Sequence, residues 1–259
     1  MNVMNMFSLK DKVAVCTGGA GLYGRQIVEA LAEAGATTVT ASRDQEKLGA
    51  FAAECRKKGL KVNAHALDLA NEDSIRKLRD EVLAQYGKVD VLVNNAVLRP
   101  FKGNTYDPEG FRKSMEVNAT GLYIITELFG EPMKKQQRGS VINVGSIQGM
   151  VGVDPTLYEG LNFSGFYPDY FFHKGGIINF TRYFASAWGK FNVRINCISP
   201  GGFFANQPEE FVKRYSARTF LGRMANDDDL KGVIVFLASD ASAYITGANI
   251  PVDAGYTQK

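Results

Sequence analysis

The 259-residue chain holds only three cysteines, Cys16, Cys55 and Cys197. That is too few for a disulfide framework, and none has a CxxC partner, which excludes a stapled secreted scaffold. Cys16 and Cys197 fall inside apolar runs and read as small buried hydrophobes. No cluster of His, Cys, Asp or Glu has metal-ligand spacing, so no catalytic metal is expected. Long apolar runs are also missing: nothing approaches the ~18 uninterrupted residues of a membrane helix. The opening MNVMNMFSLKDK lacks the basic stretch and apolar core of a secretory signal. A cytoplasmic protein without a membrane partner is expected. Charge of one sign is scarce as well, since 30 basic against 27 acidic residues leave +3. That excess is too small for a nucleic-acid-binding face.

What is present is an ordinary globular composition, 45% apolar and 22% charged, with one uneven feature. Seven of the 29 aromatic residues (Tyr158, Phe163, Phe166, Tyr167, Tyr170, Phe171, Phe172) fall within fifteen positions. An even spread would put fewer than two there.

Short β-branched runs alternate with longer amphipathic segments. Strands are predicted at Lys12–Thr17, Thr37–Ser42, Lys61–Leu67, Val89–Val93, Ser140–Val144, Val193–Ile198 and Asn249–Val252. Helices are predicted at Leu22–Ala34, Asp44–Lys58, Asn71–Tyr86, Gly110–Gln136, Asp169–Gly189 and Asp227–Ala238. Glycines at the helix ends and Asn or Asp at the starts support these boundaries. Steady alternation implies right-handed crossovers and a parallel sheet covered on both faces. A single α/β domain over residues 1–259, doubly wound with about seven parallel strands, fits the length, and no linker or repeat interrupts it.

The first strand runs into TGGAGLYG and then a helix. Glycines allow a tight turn and close backbone approach, and a helix N-terminus offers free N–H groups to a pyrophosphate. Gly18, Ala20, Gly21, Leu22, Tyr23 and Gly24 are therefore candidate dinucleotide contacts. The second strand ends in Ser42 and Arg43 rather than an acidic residue. Arg43 either binds the 2′-phosphate of NADP or opens a surface helix as a solvated cation. NADP is favoured, with NAD open because Asp44 is adjacent.

Tyr170 and Lys174 stand four apart on a predicted helix, hence on one face. A phenol with a pKa near ~10 is a poor base at neutral pH, and a nearby ammonium lowers that value. Tyr170 can then give a proton to a carbonyl oxygen or take one from an alcohol. Ser146, at the end of the fifth strand, is placed to hydrogen-bond the same oxygen. His173, between them in sequence, reads as an interior packing or hydrogen-bonding residue.

The chain resembles the short-chain dehydrogenase/reductase family in its single-domain branch, with its Rossmann-type fold. The markers are the glycine turn, Asp68-Leu69, Asn94-Asn95-Ala96, Asn118 in NATG, Ser146 in NVGSIQG, Tyr170 and Lys174 in YFFHK, Pro200-Gly201 and TGANIPVDAG. The resemblance implies hydride transfer with NADP or NAD, and Asn118, Ser146, Tyr170 and Lys174 as the catalytic set. It implies that Asn118 anchors a water linking Lys174 to solvent. Asp68, Leu69, Asn95, Ala96, Tyr170, Lys174, Pro200, Gly201 and Phe203 join the cofactor contacts. It also implies homotetramers.

Four departures from the family pattern matter. Leu22 takes the second glycine position of the turn, with Gly21 before it expected to supply the flexibility. Val97 replaces the glycine of NNAG. PGGFFANQP lacks the usual threonine, leaving Phe203 and nearby backbone to meet the nicotinamide. The fourth is the largest, because Ser146 and Tyr170 are separated by 24 positions where the family has about a dozen. The aromatic cluster falls in this insertion, about residues 150–168, which must border the substrate. Phe171 and Phe172 are expected at the core or a subunit interface. Tyr158, Phe163, Phe166 and Tyr167 form either a pocket wall or simple loop packing.

The loop also carries Asp154, Glu159, Asn162 and Asp169, with Gln148, Arg99 and Lys102 nearby. Rings mixed with hydrogen-bonding groups favour a sugar, polyol or sugar acid, and the TGGAGLYGRQI opening resembles sugar- and sugar-acid-oxidising members. Arg99, Ser146, Gln148, Tyr158 and Phe166 are the candidate substrate contacts, with Arg99 or Lys102 for a carboxylate. A reductase of apolar ketones and a non-catalytic dinucleotide sensor remain the alternatives.

Overall fold

The computed structural model describes residues 2–101, 106–162 and 165–258. Seven strands, β1 (Val13–Thr17), β2 (Thr37–Ser42), β3 (Val62–Ala66), β4 (Val91–Asn94), β5 (Gly139–Val144), β6 (Val193–Pro200) and β7 (Asn249–Val252), form one sheet. Its order is β3-β2-β1-β4-β5-β6-β7, and every neighbouring pair is parallel. The helices are α1 (Val3–Met6), α2 (Leu22–Glu33), α3 (Gln45–Lys57), α4 (Glu72–Tyr86), α5 (Pro108–Met115), α6 (Leu122–Lys135), α7 (Pro168–Trp188), α8 (Glu209–Ser216) and α9 (Lys231–Ala238).

The strands β1, β4 and β5 are buried at every position, in keeping with their mostly apolar sequences VAVCT, VLVN and GSVINV. Successive side chains still divide between two cores. Ala14, Cys16, Val91, Val93 and Ile142 pack with Ile27 and Leu31 of α2, Phe51 of α3 and Ile234 of α9. Val13, Val15, Leu92 and Val141 pack on the other face with Leu78 of α4, Phe129 of α6, and Phe184 and Trp188 of α7. The result is the doubly wound Rossmann-type fold. Its strand order reverses between β1 and β4, and such a reversal opens a crevice at the carboxyl ends of the strands.

Three expectations need correction. The single helix expected over Gly110–Gln136 is two, α5 and α6, joined by a turn of π-helix at Glu116–Gly121. Asn118 holds that turn open by accepting from Leu98 N at 2.8 Å and donating to Leu98 O at 2.7 Å. One inserted residue leaves the apolar period almost unchanged, so the pattern reads straight through it. The helix expected at Asp227 starts at Lys231, because the Asp229 carboxylate turns back to accept from Asn226 N at 2.8 Å. Helix α8 has no counterpart among the predicted elements, since its buried residues are Phe211 and Tyr215 alone. None of the described helices is long and apolar enough to cross a membrane.

Candidate active site

A cleft of about 680 Å³ opens at the carboxyl ends of β1, β2, β4, β5 and β6. Its first wall is the glycine turn. Gly18 adopts φ +70, the left-handed conformation the turn requires. Gly21 does not supply this flexibility: it is extended, with φ −78 and ψ 176, and begins α2 without a side-chain cap. Leu22, the first residue of α2, is 58% exposed, so the branched side chain is accommodated toward solvent. Gly18, Ala20, Gly21, Leu22, Tyr23 and Gly24 all line the cleft. Thr17 ties this turn to β4, its Oγ1 accepting from Asn95 N at 3.1 Å and Ala96 N at 2.9 Å. Tyr23 ties it to β6, donating from its hydroxyl to Gly201 O at 2.7 Å, with its ring edge-on to Phe203 at 5.2 Å.

Ser42, Arg43, Asp68 and Leu69 lie at one end of the cleft, joined by Lys47, which the sequence reading missed. Lys47 follows Arg43 by four residues, the same spacing that singled out Tyr170 and Lys174. Asp44 caps α3, accepting from Lys47 N at 3.0 Å. A bare helix N-terminus at the turn, two cations and a serine hydroxyl at the far end, and one continuous cleft between them fit a nicotinamide dinucleotide. Asn95, Ala96, Pro200, Gly201 and Phe203 continue the same wall.

Near the middle of the cleft, β5 ends and the chain turns sharply at Ser146–Gly149, with Ser146 Oγ accepting from Gln148 N at 3.1 Å. Helix α7 packs directly on this turn. A Cβ at Gly149 would lie 2.5 Å from the Lys174 carbonyl oxygen, so only glycine permits the approach. Ser146, Tyr170 and Lys174 thereby line one place. Burial alone raises the Tyr170 phenol's pKa, but the Lys174 ammonium, the Arg99 guanidinium and hydrogen bonds with Ser146 and Arg99 outweigh it, and the net direction is down. The Arg99 guanidinium lies over the Tyr170 ring at 4.6 Å, and Lys174 Nζ lies 5.6 Å from the ring centre. Burial also pushes the Lys174 ammonium down, against the opposing pull of Tyr170. Lys174 Nζ donates to Val144 O at 2.5 Å.

Asn118 does not line the cleft. It borders a smaller space behind it, together with Lys174, and its side chain is committed to Leu98 and Ser114. Arg99, Gln148 and Tyr158 line the cleft as expected, and Val97 does too. Phe166 does not; it stands behind Tyr158, ring centres 6.0 Å apart. Tyr167, Gln207, Phe211, Tyr215 and Met224 complete the wall. Most of these belong to α8 and its flanks, where no element was predicted.

The described part of the segment between Ser146 and Tyr170 is tied to α8 and to the turn just after it. Arg218 Nε donates to Asp154 Oδ2 at 2.5 Å, and Arg214 donates to Glu159 O at 2.7 Å. Asp154 is thus spent on Arg218 rather than offered to a ligand. Asp169 is buried and accepts from Ser114 Oγ at 2.5 Å, outside the cleft. Phe172 is 66% exposed beside Phe111, so it is not a core residue. Lys102 and Phe163 lie outside the described residues.

Taken together, the cleft and its hydroxyl–phenol–ammonium group define a dinucleotide-dependent oxidoreductase. The family model described as enoyl-(acyl carrier protein) reductase matches residues 21–257. The sorbose reductase of Candida albicans is 31% identical over 265 residues, covering 99% of this chain and 90% of its own. The 3-oxoacyl-(acyl-carrier-protein) reductase of Thermotoga maritima is 30% identical over 252 residues, covering 95% of this chain and 98% of its own. The crystal structure of a gluconate 5-dehydrogenase from Burkholderia cenocepacia, in complex with NADP and tartrate, superposes with TM-score 0.89 at 27% identity over 100% of both chains. The chain belongs to the short-chain dehydrogenase/reductase family, whose named relatives are dehydrogenases and reductases of alcohols and ketones.

Proposed function

We propose that the protein interconverts a secondary alcohol and a ketone with NADP, on a polyhydroxylated substrate such as a sugar, polyol or sugar acid. The observation that carries this reading is Tyr170 held between Ser146, Lys174 and Arg99 at the cleft. The bound dinucleotide supplies or takes the hydride. Tyr170 gives its hydroxyl proton to the substrate oxygen in reduction and removes it in oxidation. Ser146 hydrogen-bonds that oxygen, and Lys174 keeps the phenol easily ionised. Asn118 serves from behind, through the turn it opens. Tyr170→Phe is expected to lower turnover by at least about 10²-fold, the contribution of a positioned acid–base. Cofactor binding, followed by fluorescence, should stay near wild type. A variant with nearly full turnover refutes the role.

NADP is supported by Ser42, Arg43 and Lys47 gathered at one end of the cleft. Replacing Arg43 and Lys47 together with Ala is expected to weaken NADP by roughly tenfold or more, since each charge-assisted hydrogen bond contributes about 1.5–3 kcal/mol. NAD binding should not change.

The polyol reading is supported by Gln148, Gln207 and Arg99 set among Tyr158 and Tyr167, and by the relatives named for sorbose and gluconate. In this reading Arg99 holds a substrate carboxylate, and Tyr158, Gly165 and Tyr167 from the insertion wall the site within one catalytic domain. A second reading, reduction of an apolar ketone, is favoured by Phe211 and Met224 on the same wall and by the acyl-carrier relatives. A panel of sugar acids, polyols and acyl ketones with each cofactor decides between them. Exposed Tyr123, Phe172 and Tyr183 on α6 and α7 support a homotetramer, which light scattering tests.

A further inference from the structure

Two phenols meet on one peptide group in the cleft wall, the one that joins Gly201 to Gly202. Its carbonyl oxygen, on Gly201, accepts from the Tyr23 hydroxyl at 2.7 Å. Its N–H, on Gly202, donates to the Tyr215 hydroxyl oxygen at 2.5 Å. In a trans peptide these two groups point opposite ways, so the hydroxyls stand on opposite sides of the same peptide. Tyr23 comes from the first turn of α2 and Tyr215 from α8, and both line the cleft.

The backbone on either side is anchored to other backbone. Gly201 N donates to Val252 O at 3.0 Å, Ala225 N donates to Gly202 O at 2.9 Å, and Phe204 N donates to Ala225 O at 2.9 Å. The peptide between them takes both of its partners from side chains. A Gly–Gly peptide has the widest choice of φ and ψ, so it turns over at little steric cost unless something holds it. Side chains there would crowd the hold. A Cβ on Gly202 would lie 3.0 Å from Tyr215 Cζ, and one on Gly201 would lie 3.0 Å from the Tyr215 hydroxyl.

Both phenols are themselves fixed. Tyr215 is 5% exposed, and its ring stacks on Tyr256 with centres 4.9 Å apart and planes 22° apart. Tyr23 packs edge-on against Phe203. Burial first pushes both phenol pKa values up, so Tyr23 keeps the proton that it donates. The Tyr170 and Tyr215 phenols raise Tyr23 further, which sets it near the acid–base group. The glycine turn receives the pyrophosphate and Tyr170 the substrate oxygen. A nicotinamide ring that exchanges hydride there lies between the two, against Tyr23 and residues 201–203.

We propose that Tyr23 and Tyr215 are positioning residues that lock the 201–202 peptide in one orientation and so shape the seat of the nicotinamide ring. The assignment rests on Tyr170 as the proton-transfer group and adds a determinant of dinucleotide binding to it. Removing either hydroxyl leaves one end of the peptide without its partner. The peptide then turns to find another, and in turning gives up the second phenol as well. The two hydroxyls therefore act as a unit.

The test uses Tyr23→Phe, Tyr215→Phe and the double variant, which keep the rings and lose only the hydroxyls. Binding of NADPH and NADH is followed by fluorescence. Binding of 2′-phospho-ADP-ribose and ADP-ribose, which lack only the nicotinamide ring, is followed by calorimetry. Each single variant is expected to weaken the preferred dinucleotide by roughly fivefold, or about 1 kcal/mol. The matching fragment should bind within about twofold of wild type, which also shows that the fold is intact. The double variant should stay within about twofold of the weaker single, where independent bonds would give about 25-fold. Unchanged dinucleotide affinity in both single variants overturns the proposal, and so do losses that multiply. Equal losses for fragment and dinucleotide overturn it in favour of a packing role. Turnover retained in Tyr170→Phe sinks the acid–base reading instead, and these binding ratios do not depend on it.

Discussion

Tyr170 is unusual in having two cations at hand, Lys174 on its own helix and Arg99 from the loop after β4. Each favours the phenolate, and together with the Ser146 and Arg99 hydrogen bonds they outweigh the burial that opposes it. In alcohol oxidation the rate climbs as the phenol ionises. Removing the guanidinium must therefore move that limb to higher pH. Arg99→Leu is expected to show this displacement in kcat/KM against pH, with a loss at neutral pH of roughly tenfold, or about 1.4 kcal/mol. The same variant should raise KM for acidic substrates more than for neutral ones if Arg99 also holds a carboxylate. A limb that stays where it was shows that the guanidinium does not act on the phenol. An action on the phenol and a hold on a substrate carboxylate thus separate in one experiment, the first read in the pH axis and the second in substrate preference.

The elements place these residues through close backbone contacts rather than through long-range charge. Helix α7 sits against the Ser146–Gly149 turn because residue 149 has no side chain; a Cβ there would meet Lys174 O at 2.5 Å and Lys174 C at 2.6 Å. Gly149→Ala must push α7 away from the end of β5. A cost of about 1–3 kcal/mol in stability is expected from such overpacking, read in denaturant unfolding. A larger relative loss should appear in kcat, because Ser146 and Lys174 separate. Normal kcat in this variant would mean that the helix can shift without parting the two groups. Much of this architecture was legible in the sequence, since β-branched runs, helix caps and the i,i+4 pair are local signals. The parallel, doubly wound sheet followed from alternation and crossover handedness. What escaped was non-local or too short to carry a period. The π turn at Asn118 depends on the Leu98 backbone, Arg99 meets Tyr170 only in space, and α8 buries just two side chains. Gln207, Tyr215 and Met224 were missed for that last reason. Asp154 was misjudged because its partner, Arg218, lies 64 positions away.

At the scale of the whole molecule, the buried imidazole of His173 ties the global stability to pH. Its folded pKa is pushed down from 6.5 to about 3, by burial first and then by Lys174 and Arg99. The unfolded chain therefore binds a proton at this residue through the whole window from about 6.5 down to about 3, and the folded chain does not. By linkage, the unfolding free energy rises with pH across that window and is lost as pH falls through it. At pH 5, one and a half units below the unfolded value, the loss comes to about 2 kcal/mol at 1.36 kcal/mol per unit. Carboxylates held below their usual range, such as Asp154 against Thr156 and Arg218 or Asp240 against Lys12 and Arg138, weaken the fold in the same direction only at still lower pH. Urea unfolding of the wild type at pH 7 and pH 5 should therefore differ by about this amount. His173→Gln, which has nothing to protonate at that position, should lose most of the difference while keeping its stability at pH 7. A variant as acid-sensitive as the wild type would place the proton elsewhere and show that the ring finds an unfolded-like environment in the folded protein. The buried polar space behind Lys174 thus has a cost that appears only below neutral pH, where the fold must keep an imidazole uncharged beside an ammonium and a guanidinium.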